Sequence, residues 1–212
     1  MIALASNALT TLETVKALLP DAENSPSGEK LDGLLTLLIN AASAWVETMT
    51  GRQLALQAYT ERHAASGSQE LLVNQYPIIG VEYIRDLQGG LVPPEEYDFA
   101  DTAEQGIIYK ESCWPYRGYV SGLANDYTAS ARYLEIRYTA GYVLPKDATE
   151  EQPRTLPYDL ESLVWGIVGQ EYMLHCSGAQ GLSAFSISDV SWTFDKTPRQ
   201  EWLDTIRRYM RW

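Results

Sequence analysis

The side chains that most often carry metal or nucleophilic chemistry are few in this sequence. Its only two histidines are His63 and His175, and its only two cysteines are Cys113 and Cys176. His63 lies in a strand-like segment with no second ligand at metal-binding spacing. His175 and Cys176 are adjacent at a predicted helix end, where neighbouring residues do not face the same way. The spacing therefore predicts neither a metal site nor a cofactor site.

Motifs for nucleotide binding and for serine-based hydrolysis are also missing. The sequence has no G-x-S-x-G turn, no P-loop, no G-x-G-x-x-G and no C-x-x-C. Carboxylates cluster at Glu95, Glu96, Asp98 and Asp101, and two carboxylates across a cleft are what glycoside hydrolases use. The sequence favours a solvated acidic loop, and a hydrolase with an acidic cleft stays open as the alternative from another class. We expect that the chain is not an enzyme.

The charge of the chain argues against binding to duplex DNA. Asp and Glu outnumber Lys and Arg by 28 to 16, giving a formal net charge of −12 and a pI of about 4.6. A DNA-binding face needs basic residues to neutralise phosphates. An acidic surface is compatible with a wall that DNA slides past, and it also keeps a protein soluble. No run of apolar residues is long enough to span a membrane, and no signal peptide is expected at the N-terminus.

Four segments, at about residues 10–19, 30–50, 158–176 and 198–211, have the apolar spacing of amphipathic helices. Thr10 and Glu13 have capping-box spacing at the start of the first helix. Gly51 is placed to end the second helix, and Thr197 with Pro198 to begin the fourth. The stripe predicted to be buried in the second helix is Leu31, Leu34, Leu35, Leu38, Ala42, Trp45, Val46 and Met49. The stripes of the third and fourth helices are Leu160, Leu163, Val164, Ile167 and Val168, and Trp202, Leu203, Ile206 and Met210.

The segment between the second and third helices is rich in Tyr, Val and Ile and interrupted by Gly and Pro, which predicts strands. We expect these at residues 57–63, 70–73, 78–87, 106–109 and 132–139, with a polar loop at 116–130. The predicted fold is therefore α+β, a four-helix bundle-like α domain with an inserted antiparallel β-rich region. Residues 1–52 form its first helical part, 53–142 the insertion, 143–157 a linker, and 158–212 the second helical part with a C-terminal extension.

Several motifs in this order resemble those of phage head–tail connector (neck adaptor, or head-completion) proteins, in their long form with a β insertion. The opening helix TLETVKALL is followed by an apolar helix with Ala41-Ala42-Ser43, then Trp45-Val46-Glu47, and then Thr50-Gly51-Arg52. Leu71-Leu72-Val73, Tyr76-Pro77-Ile78 and Gly80-Val81-Glu82 are similar to the family's strand, proline and strand. Tyr97, Gly106 to Tyr109 and Trp114-Pro115 match its longer members. The strand end Arg137-Tyr138-Thr139-Ala140-Gly141-Tyr142 completes a resemblance that covers nearly the whole chain.

This resemblance implies a structural role in the virion. Such proteins form a ring below the portal, twelvefold in the virion, that extends the DNA channel and offers a surface to the next neck or tail component. Genome DNA would pass through without sequence-specific binding. The implied location is the neck between capsid and tail, after assembly in the host cytoplasm. Another neck or tail-completion protein is the alternative within the same class.

Two segments are candidates for contacts with partners. The C-terminal tip carries residue types that are enriched at interface hot spots, namely Arg207, Arg208, Tyr209, Arg211 and Trp212. We expect it to contact the portal, although helix capping and packing on the tip's own bundle explain these residues equally well. The small, polar loop at 177–191 is expected to face the channel or the next ring, and its candidate residues are Ser183, Phe185, Ile187, Asp189 and Val190. A strand-like run is expected at 185–194, and aromatic residues of the β insertion are expected at the subunit contact.

Overall fold

The computed structural model describes residues 2–19, 28–64, 66–86, 89–115, 133–176, 184–187, 190–193 and 199–211. Four helices lie in these ranges: α1 (Leu12–Leu18), α2 (Glu29–Thr50), α3 (Tyr158–Cys176) and α4 (Gln200–Tyr209). The strands are β1 (Gln57–Ala64), β2 (Glu70–Leu72), β3 (Ile78–Arg85), β4 (Ile107–Tyr109), β5 (Tyr133–Ala140), β6 (Ala184–Ile187) and β7 (Val190–Thr193). The predicted α+β fold is confirmed. The chain divides into a helical unit, Met1–Arg52 with Val143–Trp212, and a β unit, Gln53–Tyr142.

In the helical unit, α2 packs against each of the other three helices. It ends as predicted, because Gly51 adopts a left-handed conformation with φ of 70° and its N–H bonds to the Glu47 carbonyl. The buried face differs from the predicted stripe. Its members are Leu35, Thr36, Ile39, Ala42, Ser43, Val46 and Thr50, whereas Leu31, Leu34, Leu38, Trp45 and Met49 are only partly buried. The prediction that Trp45 is a core residue was therefore wrong.

The starts of α1 and α4 also differ from the predictions. Thr11, not Thr10, caps α1, and its side-chain oxygen accepts a hydrogen bond from the Thr14 N–H. Arg199 has extended backbone angles and precedes α4, which therefore begins at Gln200 rather than at 198. The predicted cap at Thr197 and Pro198 lies outside the described residues. Met210, predicted to point inward, is exposed, because the chain has already left the helix there.

In the β unit, β5 lies between β1 and β3 in an antiparallel sheet, and β2 pairs with β4 in a second, two-stranded sheet. Alternate residues of β5 point to one face, where Leu134, Ile136 and Tyr138 are fully buried. The core is completed by Leu71, Val73, Ile78, Ile84, Ile108, Trp114 and Ala140. The strands fall close to the predicted ranges, and the predicted loop at 116–130 lies outside the described residues.

Candidate partner-binding surface

The end of α4 carries the cationic part of the predicted tip. Arg207 pairs with Asp204 one turn earlier at 2.7 Å, and its side chain is 63% exposed. Arg208 lies 3.2 Å from the Thr205 hydroxyl and 3.4 Å from a carboxylate oxygen of Asp159. Two basic residues in the last turn are favourable because helix carbonyls carry partial negative charge there.

The tip is attached to the ends of two other helices. The Tyr209 hydroxyl donates a 2.7 Å hydrogen bond to Asp159 in the first turn of α3. The Arg211 N–H donates to the Thr50 carbonyl, the last residue of α2, at 2.9 Å. Arg208 and Tyr209 therefore help to hold the helical unit together, whereas Arg207 and Arg211 present exposed side chains that can meet an acidic group. Trp212 lies outside the described residues.

Close packing against α3 fixes the position of α4. A Cβ atom added at Gly166 would lie 3.1 Å from Cζ2 of Trp202 and 3.2 Å from its Nε1, so the indole occupies the space that a side chain would need. The Arg199 guanidinium lies over the same indole, 5.3 Å from its centroid. The orientation of the tip is thus set by a glycine on α3.

The second candidate segment is a β-hairpin in its described part. Phe185 and Ile187 lie in β6 and Val190 lies in β7, with Phe185 opposite Trp192 and Ile187 opposite Val190. The predicted single strand-like run is therefore two paired strands, and this part of the segment is not an irregular loop. Ser183 and Asp189 lie outside the described residues.

A buried carboxylate that the sequence analysis did not single out joins three segments of the helical unit. Glu161 on α3 is 1% exposed and accepts a 2.9 Å hydrogen bond from the Thr10 hydroxyl. Thr10 in turn accepts a 2.9 Å bond from the Trp165 indole N–H. Arg154 forms the salt bridge to Glu161, donates to the Leu156 carbonyl at 2.8 Å, and lies over the Tyr158 ring.

The β unit contains a polar network around Glu61. One carboxylate oxygen accepts a 2.7 Å bond from the Tyr138 hydroxyl, and the other lies 2.7 Å from His63 and accepts from the Asn74 N–H at 3.0 Å. Burial acts to raise the pKa of Glu61, but these hydrogen bonds outweigh it and the pKa lies below its ordinary value. Burial, together with the Glu61 carboxylate, raises the pKa of Tyr138. The phenol therefore stays protonated and donates, which makes the network a structural link between β1, β5 and the 74–75 turn.

The other residues considered for chemistry show ordinary surface contacts. Glu96 pairs with Lys110 at 2.6 Å, and Asp98 accepts hydrogen bonds from the N–H groups of Phe99 and Ala100. Glu95 and Asp101 are exposed. No group of three His, Cys, Asp or Glu side chains that could hold a metal ion occurs within the described ranges. None of the described helices is long and apolar enough to cross a membrane.

Comparison with known proteins gives matches at the level of structure alone. No family model matches the chain, and no curated protein sequence does. A chain from the neck of an empty gene transfer agent (GTA) particle, computed with C6 symmetry, has a TM-score of 0.55 at 17% identity, and the match covers 99% of this chain and 93% of that one. A chain from the neck of the native particle, computed with C12 symmetry, has a TM-score of 0.53 at 18% identity, covering 99% and 92%. A chain from the virion of the native particle has a TM-score of 0.50 at 19% identity, with the same coverage. The chain therefore has the fold of chains in these phage-like particles, in agreement with its resemblance to head–tail connector proteins.

Proposed function

We propose that this chain is a structural, non-enzymatic protein of the neck of a phage-like particle. The observation that carries the proposal is the fold match over 99% of the chain to chains in GTA necks. The sequence motifs support the same role independently, because they run in the order found in head–tail connectors. The acidic composition is compatible with a channel wall that does not retain DNA.

In this role the chain forms a homo-oligomeric ring, twelvefold in the virion, between capsid and tail. The ring docks below the portal, extends the DNA channel and provides the attachment surface for the next neck or tail-completion protein. The C12 and C6 symmetries of the related necks support a ring of this kind. Since every copy carries a formal charge of −12, assembly should be weaker at low salt and stronger when salt screens the repulsion.

Within this proposal the α4 tip is the portal contact, and the hairpin faces the channel or the next ring. Arg207 and Arg211 support the tip assignment because their exposed side chains are available to an acidic partner surface. Deleting the tip is a poor test, since it would also remove the Tyr209 bond to Asp159. Reversing the charge of Arg207 is sharper, because only its exposed pair with Asp204 is lost and such pairs contribute little to stability.

The test is binding of purified chain to its portal, measured by interferometry with Arg207→Glu and with Arg62→Glu as the matched control. Arg62 is equally exposed, at 66%, but lies in the β unit. We expect Arg207→Glu to weaken portal binding by about tenfold or more and Arg62→Glu to leave it unchanged. Equal binding by both variants would exclude the tip as the portal contact. A wild-type chain that binds no portal at all would contradict the connector role itself.

A further inference from the structure

Two segments of the helical unit are free of charge and lie side by side. Residues 2–12 and 33–46 contain none of the 28 acidic and 16 basic residues of the chain. Asn40 of α2 joins them, since its side-chain oxygen accepts from the Ala5 N–H at 2.8 Å and its amide donates to the Ala3 carbonyl at 3.1 Å. One turn further, the Ser43 hydroxyl accepts from the Leu9 N–H at 3.0 Å. An acidic protein thus has one surface built from two uncharged segments.

The outer side of α2 is apolar and exposed. Leu37, Ala41, Ala44 and Thr48 recur at helical spacing, so they share one side of the helix over a length of about 16 Å. All four are exposed, and Leu37 is 52% exposed. We call these four residues the α2 face. Ile2, which precedes Ala3 in the adjoining segment, is 46% exposed.

This composition is unusual for a helix side that only meets water. Surface helices of globular proteins carry charged or polar residues on the side opposite the core. Here the buried side is separate and complete, with Leu35, Ile39 and Val46 fully enclosed. The small side chains of Ala41 and Ala44 would let a second backbone approach closely. The α2 face therefore has the properties of a contact surface with no cover in the isolated chain.

Charge indicates which partner covers this surface. An acidic chain attracts a basic partner through its carboxylates, and a surface without charge offers such a partner nothing. Two copies of this chain, each with a formal charge of −12, repel one another wherever their acidic surfaces meet. A contact between copies is thus least costly where charges are absent, and apolar burial there adds attraction.

We propose that the α2 face is the contact between neighbouring copies of this chain, an inference that rests on the proposed ring. A closed ring has heterologous contacts, so the face meets a different surface of the next copy. This assignment puts the helical unit at the subunit contact, where the sequence had favoured aromatic residues of the β insertion.

The experiment introduces a carboxylate at the centre of the face. Ala44→Glu should fold normally, since Ala44 is exposed and glutamate is a good helix former. Self-association of the full chain is measured by sedimentation velocity in about 0.5 M salt, where long-range repulsion is screened. We expect association at least about tenfold weaker than in the wild type, because like charge or an unpaired carboxylate would be buried. Circular dichroism and thermal melting should be unchanged.

The matched control is Gln152→Glu, which adds the same charge at an exposed position away from α2. It should associate like the wild type. If Ala44→Glu associates as tightly as the wild type, or if both variants are weakened equally, the α2 face is not the contact. The proposed function survives that result as long as the wild type forms rings alone or on added portal. A wild type that does neither contradicts both proposals.

Discussion

Removing the charge of Glu161 should loosen the N-terminal segment from α3. Glu161→Gln keeps the shape of the side chain but deletes its salt bridge with Arg154 and leaves a weaker acceptor for the Thr10 hydroxyl. Because Thr10 directly follows the uncharged segment that lies along α2, the effect should appear there first. The sheet of the β unit contains none of these contacts.

The magnitude follows from the burial of the two partners. Removing one partner of a buried ion pair costs about 3–5 kcal/mol, because the other charge is left uncompensated. The Arg154 side chain is 22% exposed and its guanidinium lies 4.0 Å from the centroid of the Tyr158 ring, so water and the ring still stabilise it. We therefore expect a loss of about 2–3 kcal/mol, below the range for a fully buried pair.

Hydrogen exchange followed by mass spectrometry measures this loss locally. The amides of Ala8 and Leu9 are protected by bonds to the Ala5 carbonyl and to Ser43, so their exchange reports opening of the segment. A loss of 2–3 kcal/mol corresponds to exchange that is about 30- to 150-fold faster. Peptides from β5 should exchange as in the wild type.

A second substitution tests whether Thr10 and Glu161 act together. Thr10→Val removes the donor to Glu161 and the acceptor for the Trp165 indole, and should cost about 1–3 kcal/mol alone. Since the two side chains share one hydrogen bond, the double variant should lose less than the sum of the single losses. Strictly additive losses, or unchanged exchange at Ala8 and Leu9 in Glu161→Gln, would refute the reasoning.

Three further predictions concern packing and pH. Tyr138→Phe removes a donor to Glu61 and should lower the free energy of unfolding of the β unit by about 1–3 kcal/mol in urea, whereas Tyr109→Phe, at an exposed ring, should have little effect. Because the pKa of Glu61 is lower in the folded state, its stabilisation is present above the unfolded pKa, about 4.3, and is lost as pH falls below it; Glu61→Gln should flatten the acid limb of an unfolding curve, and an unaltered limb would contradict this. Gly166→Ala forces a methyl group against Trp202 and should lower stability by about 1–3 kcal/mol, with Trp202→Leu restoring part of the loss; a melting temperature equal to that of the wild type would disprove the packing.

The sequence predicted the helices well but not which side of α2 is buried. Both sides of that helix are apolar between Gly33 and Val46, so apolar spacing alone could not separate the inner side from the outer. The prediction centred the stripe near Leu34 and Trp45, whereas the core holds Leu35 and Ile39. The same lack of charge that caused this error is what distinguishes the α2 face.

Long-range polar contacts were beyond the reach of sequence patterns. Glu161 looked like an ordinary first-turn acid of α3, because its partner Thr10 is 151 positions away along the chain. The tip was predicted from residue types alone, and its attachment through Tyr209 to Asp159 spans 50 positions. Spacing patterns report local neighbours on one helix or strand, whereas these bonds depend on how separate elements meet.

The most direct test of the proposed role is electron microscopy of the purified chain mixed with its portal. The account predicts a closed ring of this chain, twelvefold and seated on one end of the portal, with an open axial channel. The ring should be lost with Ala44→Glu and retained with Gln152→Glu. Portal particles that carry no added density, together with a chain that remains monomeric at high salt, would contradict the central claim.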